Sequence, residues 1–576
     1  MNQVIISKFL RETMLACIYI LGVFGIVASG GGGGSGGDGD NVPDPAPPPG
    51  LTLGFDIKTF RFTWIDEPGA THYRLLENPD GISGFSQVGV DIPQGIQTFG
   101  HYVPLYKRIN ASYILQSCDM AVCVDLHSLN VTSTLRNAIG YFKASNTDAA
   151  DEFGGAVSLS GDGTTLAIGA MYEDSNATGI NGDQTNDLAL DAGAVYVFSH
   201  DSMTLTWSQQ AYIKPSNTVA GANFGRAVSL SDGGFTLAVP GYVFTRTGTT
   251  WVQQDTITGG TAVSLSGDGN TVATGTSDTF GPGAVNVSTR SGADWNLQAT
   301  IGASNPDIGD AFGGAISLSD DGNTLAVGAK REKSNATGIN GNQTDNSLIE
   351  AGAAYVFTRS GATWGQQAYI KASNTDGGII GASGDWFGSS VSLSGDGNTL
   401  AVGAMYEDSG ATGIDGNQAD NSILDPGAVY VFTRTGTVWT QQAYVKASNT
   451  GRDDWFGGSV GLNYDGDTLA IGALEEDSSA TGIGGDQTDN STLNAGAVYV
   501  FMRSGTTWAQ QAYVKASSVG RDELGASRTG NKVGLSISDD GDTLAAGALE
   551  EDSNATGISG NQADNSAVAS GAVYLY

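Results

Sequence analysis

Hydrophobic and polar residues alternate over most of this chain, in short runs that return in the same order. FGGAVSL is followed by a Gly-Asp turn, then TLAIGA, then AVYVF, then WSQQAYI, all within residues 153–213. Period-two alternation bounded by Gly, Asn and Asp predicts β-strands joined by hairpins. The opening phrase recurs at 153–170, 224–239, 261–275, 312–329, 387–404, 456–473 and 533–548. Four strands per unit in seven units predict an all-β fold, a seven-bladed β-propeller of four-stranded blades over residues 138–576. The last unit has no fourth run before Tyr576, and IGYFKASN at 139–146 supplies a matching one. That strand is expected to close the ring and remove its free sheet edges.

Residues 51–132 alternate differently. KTFRFTW (58–64) puts Phe60, Phe62 and Trp64 on one face, and THYRLLE (71–77) and ASYILQSC (111–118) read as further strands. With Trp64 early, Tyr73 opening the next strand, and Leu105 followed by Tyr113 where a tyrosine corner belongs, this segment resembles a fibronectin type III β-sandwich. Cys118 and Cys123 flank DMAV, a four-residue hairpin loop. In an exported protein they are expected to form a disulfide worth roughly 2 kcal/mol; a pair of partly buried thiols is the alternative.

Upstream, the apolar run from Met14 to Ser29 is shorter than the roughly 20 residues of a membrane span, which suits a signal peptide or N-terminal anchor at 1–29. Residues 30–50, rich in Gly and then in Asp and Pro, read as a tether.

Charge narrows the partners. Lys and Arg total 26 against 60 Asp and Glu, a formal charge of −34 that repels nucleic acid and anionic lipid. The four His residues are scattered without metal-ligand spacing, which argues against zinc chemistry and most His-based catalysis.

The Phe-Gly opening, the Gly-Ala after the second strand and the Gly-Ala-Val-Tyr-Val-Phe third strand resemble the FG-GAP repeats of the integrin α-subunit propeller. That resemblance implies an architecture and a habit of binding. Two features depart from it. The joint between strands one and two is SGDGNT rather than a DxDxDG calcium loop, with SDDGDT (538–543) coming nearest, and no Pro follows Gly-Ala. These joints read as tight turns, and the arginines near the hairpins between strands three and four on the same side (Arg246, Arg290, Arg359, Arg434) are expected in solvent.

Joints alternate between two faces, and every long one falls on the same face. EDSNATGINGDQTNDLALD (173–191) has relatives at 332–350, 407–425, 475–494 and 551–569, whereas blades 2 and 3 have only short turns, leaving a low notch. A calcium reading gathers Asp408, Asp415, Asn417 and Asp420, with Asp477, Asp486 and Asp489 in the sister loop, as hard oxygen ligands. The bland reading is a compact loop held by Asx and Ser/Thr turns, with its Ile buried as a plug. Trp386 and Trp455, with Asp385 and Asp454 before them, are candidate ligand contacts on this face.

Near-identical blades leave no unique catalytic constellation, so no enzyme is expected. The expectation is an exported, monomeric binding or adhesion protein of a bacterial surface, periplasm or medium. It would recognise an extracellular protein or glycan through the long-loop face, contact membrane only through its N-terminus, and have Ca²⁺ as its candidate ion. The alternatives are a structural matrix component and a propeller glycosidase.

Overall fold

The computed structural model describes residues 50–131, 134–277, 280–377, 384–518, 520–525 and 534–576. The expected leader and the linker up to residue 49 lie outside the described residues. The first seven strands are β1 (Leu51–Asp56), β2 (Thr59–Trp64), β3 (His72–Asn78), β4 (Ser86–Pro93), β5 (Thr98–Tyr102), β6 (Ser112–Cys118) and β7 (Cys123–Asn130). They form a three-stranded sheet, β1-β2-β5, and a four-stranded sheet, β4-β3-β6-β7. The alternation in KTFRFTW sends Phe60, Phe62 and Trp64 into a core with Tyr73, Tyr113 and Leu115. Tyr113 donates its hydroxyl to the Glu77 carboxylate at 2.5 Å, whereas a tyrosine corner would reach upstream backbone. Cys118 and Cys123 face each other across β6 and β7 and are bonded.

From β8 (Gly140–Phe142) onward the described chain is four-stranded antiparallel sheets, the blades of a β-propeller. Blade 1 is β9 (Phe153–Leu159), β10 (Thr165–Ala170), β11 (Ala194–Asp201) and β12 (Thr206–Ile213), paired in sequence order. Five further sheets of the same order lie within 229–256, 262–301, 315–370, 387–445 and 456–514. The last takes three strands from 535–575 and its fourth from β8, with Val573 opposite Phe142 and Tyr574 opposite Tyr141.

The repeated glycines mark where adjacent blades touch. A Cβ on Gly169, in β10, would sit 1.9 Å from the carbonyl oxygen of Gly225, the Phe-Gly glycine of blade 2. Gly225 itself has φ +87°, a conformation that Gly adopts without strain. The same clash, at 2.1 Å, would arise between Gly547 in blade 7 and Gly154 in blade 1, so the last sheet meets the first through the same contact. Glycine at these positions therefore sets the distance between sheets.

At the hairpin end, backbone hydrogen bonds tie together the turns between strands one and two. Asp162 donates to Asp232, Asp232 to Gly267, Asp268 to Asp320, Asp320 to Gly395, Asp396 to Tyr464, Tyr464 to Asp539, and Asp539 to Gly161, at 2.8–3.4 Å. The series returns to the turn where it began. Each turn is also self-satisfied: in blade 1 Ser160 donates to Asp162, whose carboxylate accepts the Thr164 amide.

SDDGDT has a different occupant from the one its spacing suggests. Lys58, fully buried, donates through Nζ to the Asp542 carbonyl at 2.7 Å and Thr543 Oγ1 at 2.6 Å. Tyr106 reaches the Gly541 carbonyl, and Lys107 pairs with Asp542. Burial pulls the Lys58 ammonium down to about 7, against the attraction of Asp540 and Asp542.

The hairpin arginines are not simply in solvent. Arg246, Arg359 and Arg434 stack 5.3–5.5 Å from Trp251, Trp364 and Trp439. Each donates to the side-chain carbonyl of a Gln in the preceding blade (Gln210, Gln298, Gln367) that also accepts the indole N–H. A weakly hydrated guanidinium stacks on an indole at little desolvation cost. The Arg290 guanidinium donates to the Gly292 carbonyl of its own turn, and its backbone amide to the Asn270 carbonyl.

Candidate functional site

The long loop leaves its blade through a buried ion pair. In blade 5, Glu407 is 1% exposed, and its carboxylate accepts Lys446 Nζ at 2.8 Å, the Tyr444 hydroxyl at 2.7 Å and the Asn374 side-chain amide at 3.0 Å. Lys446 and Tyr444 end that blade's outer strand, and Asn374 follows the outer strand of blade 4. The Tyr430 hydroxyl then reaches the Asn374 side-chain oxygen. Glu173 with Lys214, Glu332 with Lys371, Glu476 with Lys515 and Glu551 with Lys143 repeat the pair at 2.6–2.9 Å. Burial lowers the Lys446 ammonium and the Glu407 charge opposes that shift.

The rest of the loop consensus is spent on the loop itself. Asp408 accepts the Asp425 amide across the loop base, and Asp477 does the same for Asn494. Ser409 donates to the Asn417 carbonyl and accepts the Ala411 amide. Asp415, at φ 54°, accepts the Tyr444 amide, and Asn417 accepts the Ala419 amide. Gln418 accepts the Ser373 hydroxyl from the preceding blade. Asp486 accepts Thr488 and Asp489 accepts Ser491 and Ser479. Ile414 forms a bridge to Val445 on the outer strand. The candidate ligands Asp408, Asp415, Asn417, Asp420, Asp477, Asp486 and Asp489 are thus distributed around two loops rather than gathered at one point. Among the described residues, three carboxylates approach within 4.8 Å of one another only at Asp232, Asp320 and Asp539.

Those three acids come from the hairpin turns of blades 2, 4 and 7, which are not neighbours, so they meet at the common axis. Gly161, Gly267 and Gly395 occupy the intervening turns, where a Cβ would strike one of the carboxylates. Burial, followed by repulsion from nearby carboxylates, raises Asp232 to about 6, Asp539 to about 7 and Asp320 to about 8.

At the loop end, Trp386 and Trp455 lie on either side of one tyrosine. Tyr406 is 4.7 Å from the Trp386 ring and 5.6 Å from Trp455. Lys330 lies 4.3 Å and Arg331 5.4 Å from the Trp386 ring, and the Trp386 indole N–H donates to Glu350. The Trp455 face packs against Leu474 and Leu549. All three aromatic side chains are half-buried. Asp385 and Asp454 lie beneath, each 4% exposed, accepting the Asp376 and Gly451 amides. Burial holds Asp385 well above the usual carboxylate range and raises Asp454 to about 7.

In blade 2 a Pro240-Gly241 turn replaces the long loop, and a cavity of about 220 Å³ opens there. It is lined by Pro215, Asn217, Phe224, Arg226, Pro240 and Tyr242, among others. Tyr242 still reaches Asn217, as Tyr196 reaches Asn146 in blade 1. Asn146 also holds Glu173, and without the loop blade 2 has no counterpart of that acid. The Glu-Lys pairing escaped sequence reasoning, although its signal was present: the E-x-S loop and the Tyr-x-Lys strand end occur in the same five units.

Four stretches, 140–198, 295–357, 364–432 and 439–501, match the model of the FG-GAP repeat. Each begins on an outer strand and ends in the third strand of the next blade, so the sequence repeat is offset from the sheet by one strand. No curated protein matches the chain. Among solved structures it is similar to the RRP9 WD40 repeats, 10% identical over 76% of this chain and 96% of that one, with a TM-score of 0.42. It is also similar to a putative 6-phosphogluconolactonase from Bacteroides uniformis, 10% identical over 78% and 98%, TM-score 0.37. A third is oligogalacturonate lyase from Vibrio parahaemolyticus, 9% identical over 80% and 95%, TM-score 0.39. No activity transfers at such values.

Proposed function

We propose that this chain, which carries FG-GAP repeats, is an exported, monomeric, non-catalytic recognition protein that binds an extracellular protein or glycan through its loop end. In this reading a closed seven-bladed propeller is displayed by a fibronectin type III-like domain, a Gly/Pro tether and an N-terminal leader or anchor. The supporting observation is the row Trp386, Tyr406 and Trp455 with Lys330 and Arg331 at one end, half-buried rings beside cations. Such faces pack against sugar rings or apolar side chains while keeping a polar edge. The sheet order β4-β3-β6-β7 over β1-β2-β5 favours the fibronectin-like assignment, and the Cys118–Cys123 bond suits an oxidising compartment. No helix among the described residues is long and apolar enough to cross a membrane.

The test is a glycan and matrix-protein array probed with the wild-type protein and the Trp386→Ala/Trp455→Ala variant. The reading expects bound signal that falls at least tenfold in the variant. Signal unchanged in the variant would move the site elsewhere. A structural matrix component is the second reading, favoured by the loops' use of their own polar groups, and an empty array would support it.

A further inference from the structure

Three departures from the repeat fall in blade 2 and meet at one cavity. The first is the missing long loop, replaced by the Pro240-Gly241 turn, beside which about 220 Å³ stands open. The second is Arg226, directly after Phe224-Gly225, where blades 1, 4, 5 and 6 have Gly155, Gly314, Ser389 and Gly458. The third is Asn223, before that Phe, where the same blades have Glu152, Ala311, Trp386 and Trp455. Arg226 and Asn223 both line the cavity.

These two residues form a pair. Asn223 has φ 50°, a conformation that Asn takes more readily than most residues. Its side-chain oxygen accepts an Arg226 guanidinium N–H at 3.0 Å, and its amide nitrogen donates to the Met171 carbonyl at 3.3 Å. Arg226 is thereby held half-buried at the cavity by a neutral partner, which leaves its charge in place. Among the described residues that line the cavity, Arg226 is the one charged side chain and none is a carboxylate. In a chain of formal charge −34, this is a local reversal of sign.

Two further polar side chains line the same space, Asn217 and Tyr242. The Tyr242 hydroxyl donates to the Asn217 side-chain oxygen at 2.9 Å and keeps lone pairs that accept. In blade 1 the equivalent Asn146 gives its amide nitrogen to Glu173. Blade 2 has no such acid, so the Asn217 amide nitrogen is open to another acceptor. Pro215 and Pro240 add C–H surface.

We propose that the blade 2 cavity binds a sugar acid, a single hexose-sized ring bearing one carboxylate, with that carboxylate on Arg226. A guanidinium meets a carboxylate through parallel charge-assisted bonds, one charge against one. A phosphate would bring more negative charge into the field of a strongly acidic protein. Ring hydroxyls find the Asn217 amide nitrogen and the Tyr242 oxygen, and the C–H face of the ring packs on the prolines. The volume corresponds to about seven waters, which suits one ring rather than an oligomer. Neither the Trp row nor its ligand enters this inference.

The experiment is a saturation-transfer NMR titration of the full chain with glucuronate and galacturonate, with glucose and benzoate as controls. Wild type is compared with Arg226→Ser, which copies blade 5, and with Asn217→Ala. At least one of the sugar acids should bind wild type with a dissociation constant of about 1 mM, the order for a ligand of this size. Glucose and benzoate should bind more weakly by about fivefold or more, since each lacks one half of the recognition. Arg226→Ser should weaken the sugar acid by about tenfold or more, and Asn217→Ala by about fivefold. If Arg226→Ser fails to fold, Asn217→Ala, at an exposed position, decides alone. No saturation by either sugar acid up to tens of millimolar, equal affinity for glucose or benzoate, or variants with wild-type affinity would overturn the proposal.

Discussion

Blades 1, 4, 5, 6 and 7 differ from blades 2 and 3 in more than loop length. Where the loop is present, its Glu meets a Lys and a Tyr at the end of the same blade's outer strand, as Glu407 meets Lys446 and Tyr444. Where it is absent, all three residues are absent together. Blade 2 has Thr256 and Thr258 in place of the Tyr and Lys, and blade 3 has Thr300 and Gly302. A Lys or a Glu left alone in that fully buried setting would need several kcal/mol of desolvation offset by nothing. The loop and the strand end therefore form one unit that is present whole or absent whole. The loops are anchored to the scaffold by charge as well as backbone, while in blade 2 a cavity opens beside the short turn that replaces the loop.

The strongest way to break this comparison is in blade 7, where the anchor comes from the other end of the chain. Tyr141 donates to Glu551 at 2.9 Å, and Lys143 donates to Glu551 and Ser570 at 2.7 Å. Tyr141→Ala with Lys143→Ala strips Glu551 of both donors and hollows the strand that completes the last sheet. The expected loss exceeds about 5 kcal/mol, combining an unpaired buried charge with a lost aromatic ring. Chemical denaturation should show a lower midpoint and a split transition as the ring opens between blades 7 and 1. A single transition at the wild-type midpoint would mean that β8 closes nothing.

Next in size is one anchor taken singly. Lys446→Met leaves Glu407 buried and unpaired and should cost about 3–5 kcal/mol, whereas Lys446→Met with Glu407→Gln should recover most of it. Equal destabilisation by the single and double variants would show that packing, rather than charge pairing, ties the loop down.

Buried acids lie at both ends of the propeller. Asp232, Asp320 and Asp539 at the hairpin end, and Asp151, Asp454 and Asp522 at the loop end, have carboxyls raised to between about 6 and 8 by burial. The folded state then holds more protons than the unfolded state above the ordinary carboxylate value. Stability must fall as pH rises through that window and is recovered on acidification. Lys58, lowered to about 7, acts in the opposite sense between about 7 and its unfolded value, and His200, lowered by burial, opposes the acids below its ordinary value, so several acids against one imidazole set the direction between pH 5 and 7. In chelator, the melting temperature should rise from pH 7 to pH 5, and Asp320→Asn should flatten the rise. A melting temperature that falls over that range would contradict the burial of these groups.

Much of this was legible in the sequence because it is written in side chains and repeated. Alternation gave the strands, SGDGNT the turns, and IGYFKASN the outer strand of the last sheet. Other features left no local trace. Glu407 and Lys446 lie 39 residues apart and look like two surface charges until the blade folds. The axial belt is made of main-chain amides, and its only sign is the Gly and Asp variation at the first turn position. Arg434 reads as a solvated turn residue because nothing nearby in sequence shows that Gln367 of another blade holds it beside Trp439. SDDGDT looked closest to a cation loop, and it does meet a cation, but one supplied by Lys58 from 480 or more residues upstream.

The smallest effect is the most discriminating. Thr258 in blade 2 stands where the loop-bearing blades have their buried Lys, yet it is exposed because no loop covers it. Thr258→Lys restores the strand-end cation without its acid. Solvent can hydrate the new ammonium, so the change in stability should stay within about 0.5 kcal/mol, as for ordinary surface substitutions. Paired with Lys446→Met in blade 5, it contrasts the same residue type at the same strand position with and without a loop. A loss above about 1 kcal/mol for Thr258→Lys would mean that the outer strand of blade 2 rejects Lys for its own packing reasons. The joint absence of Glu, Tyr and Lys from blades 2 and 3 would then need a cause other than their pairing.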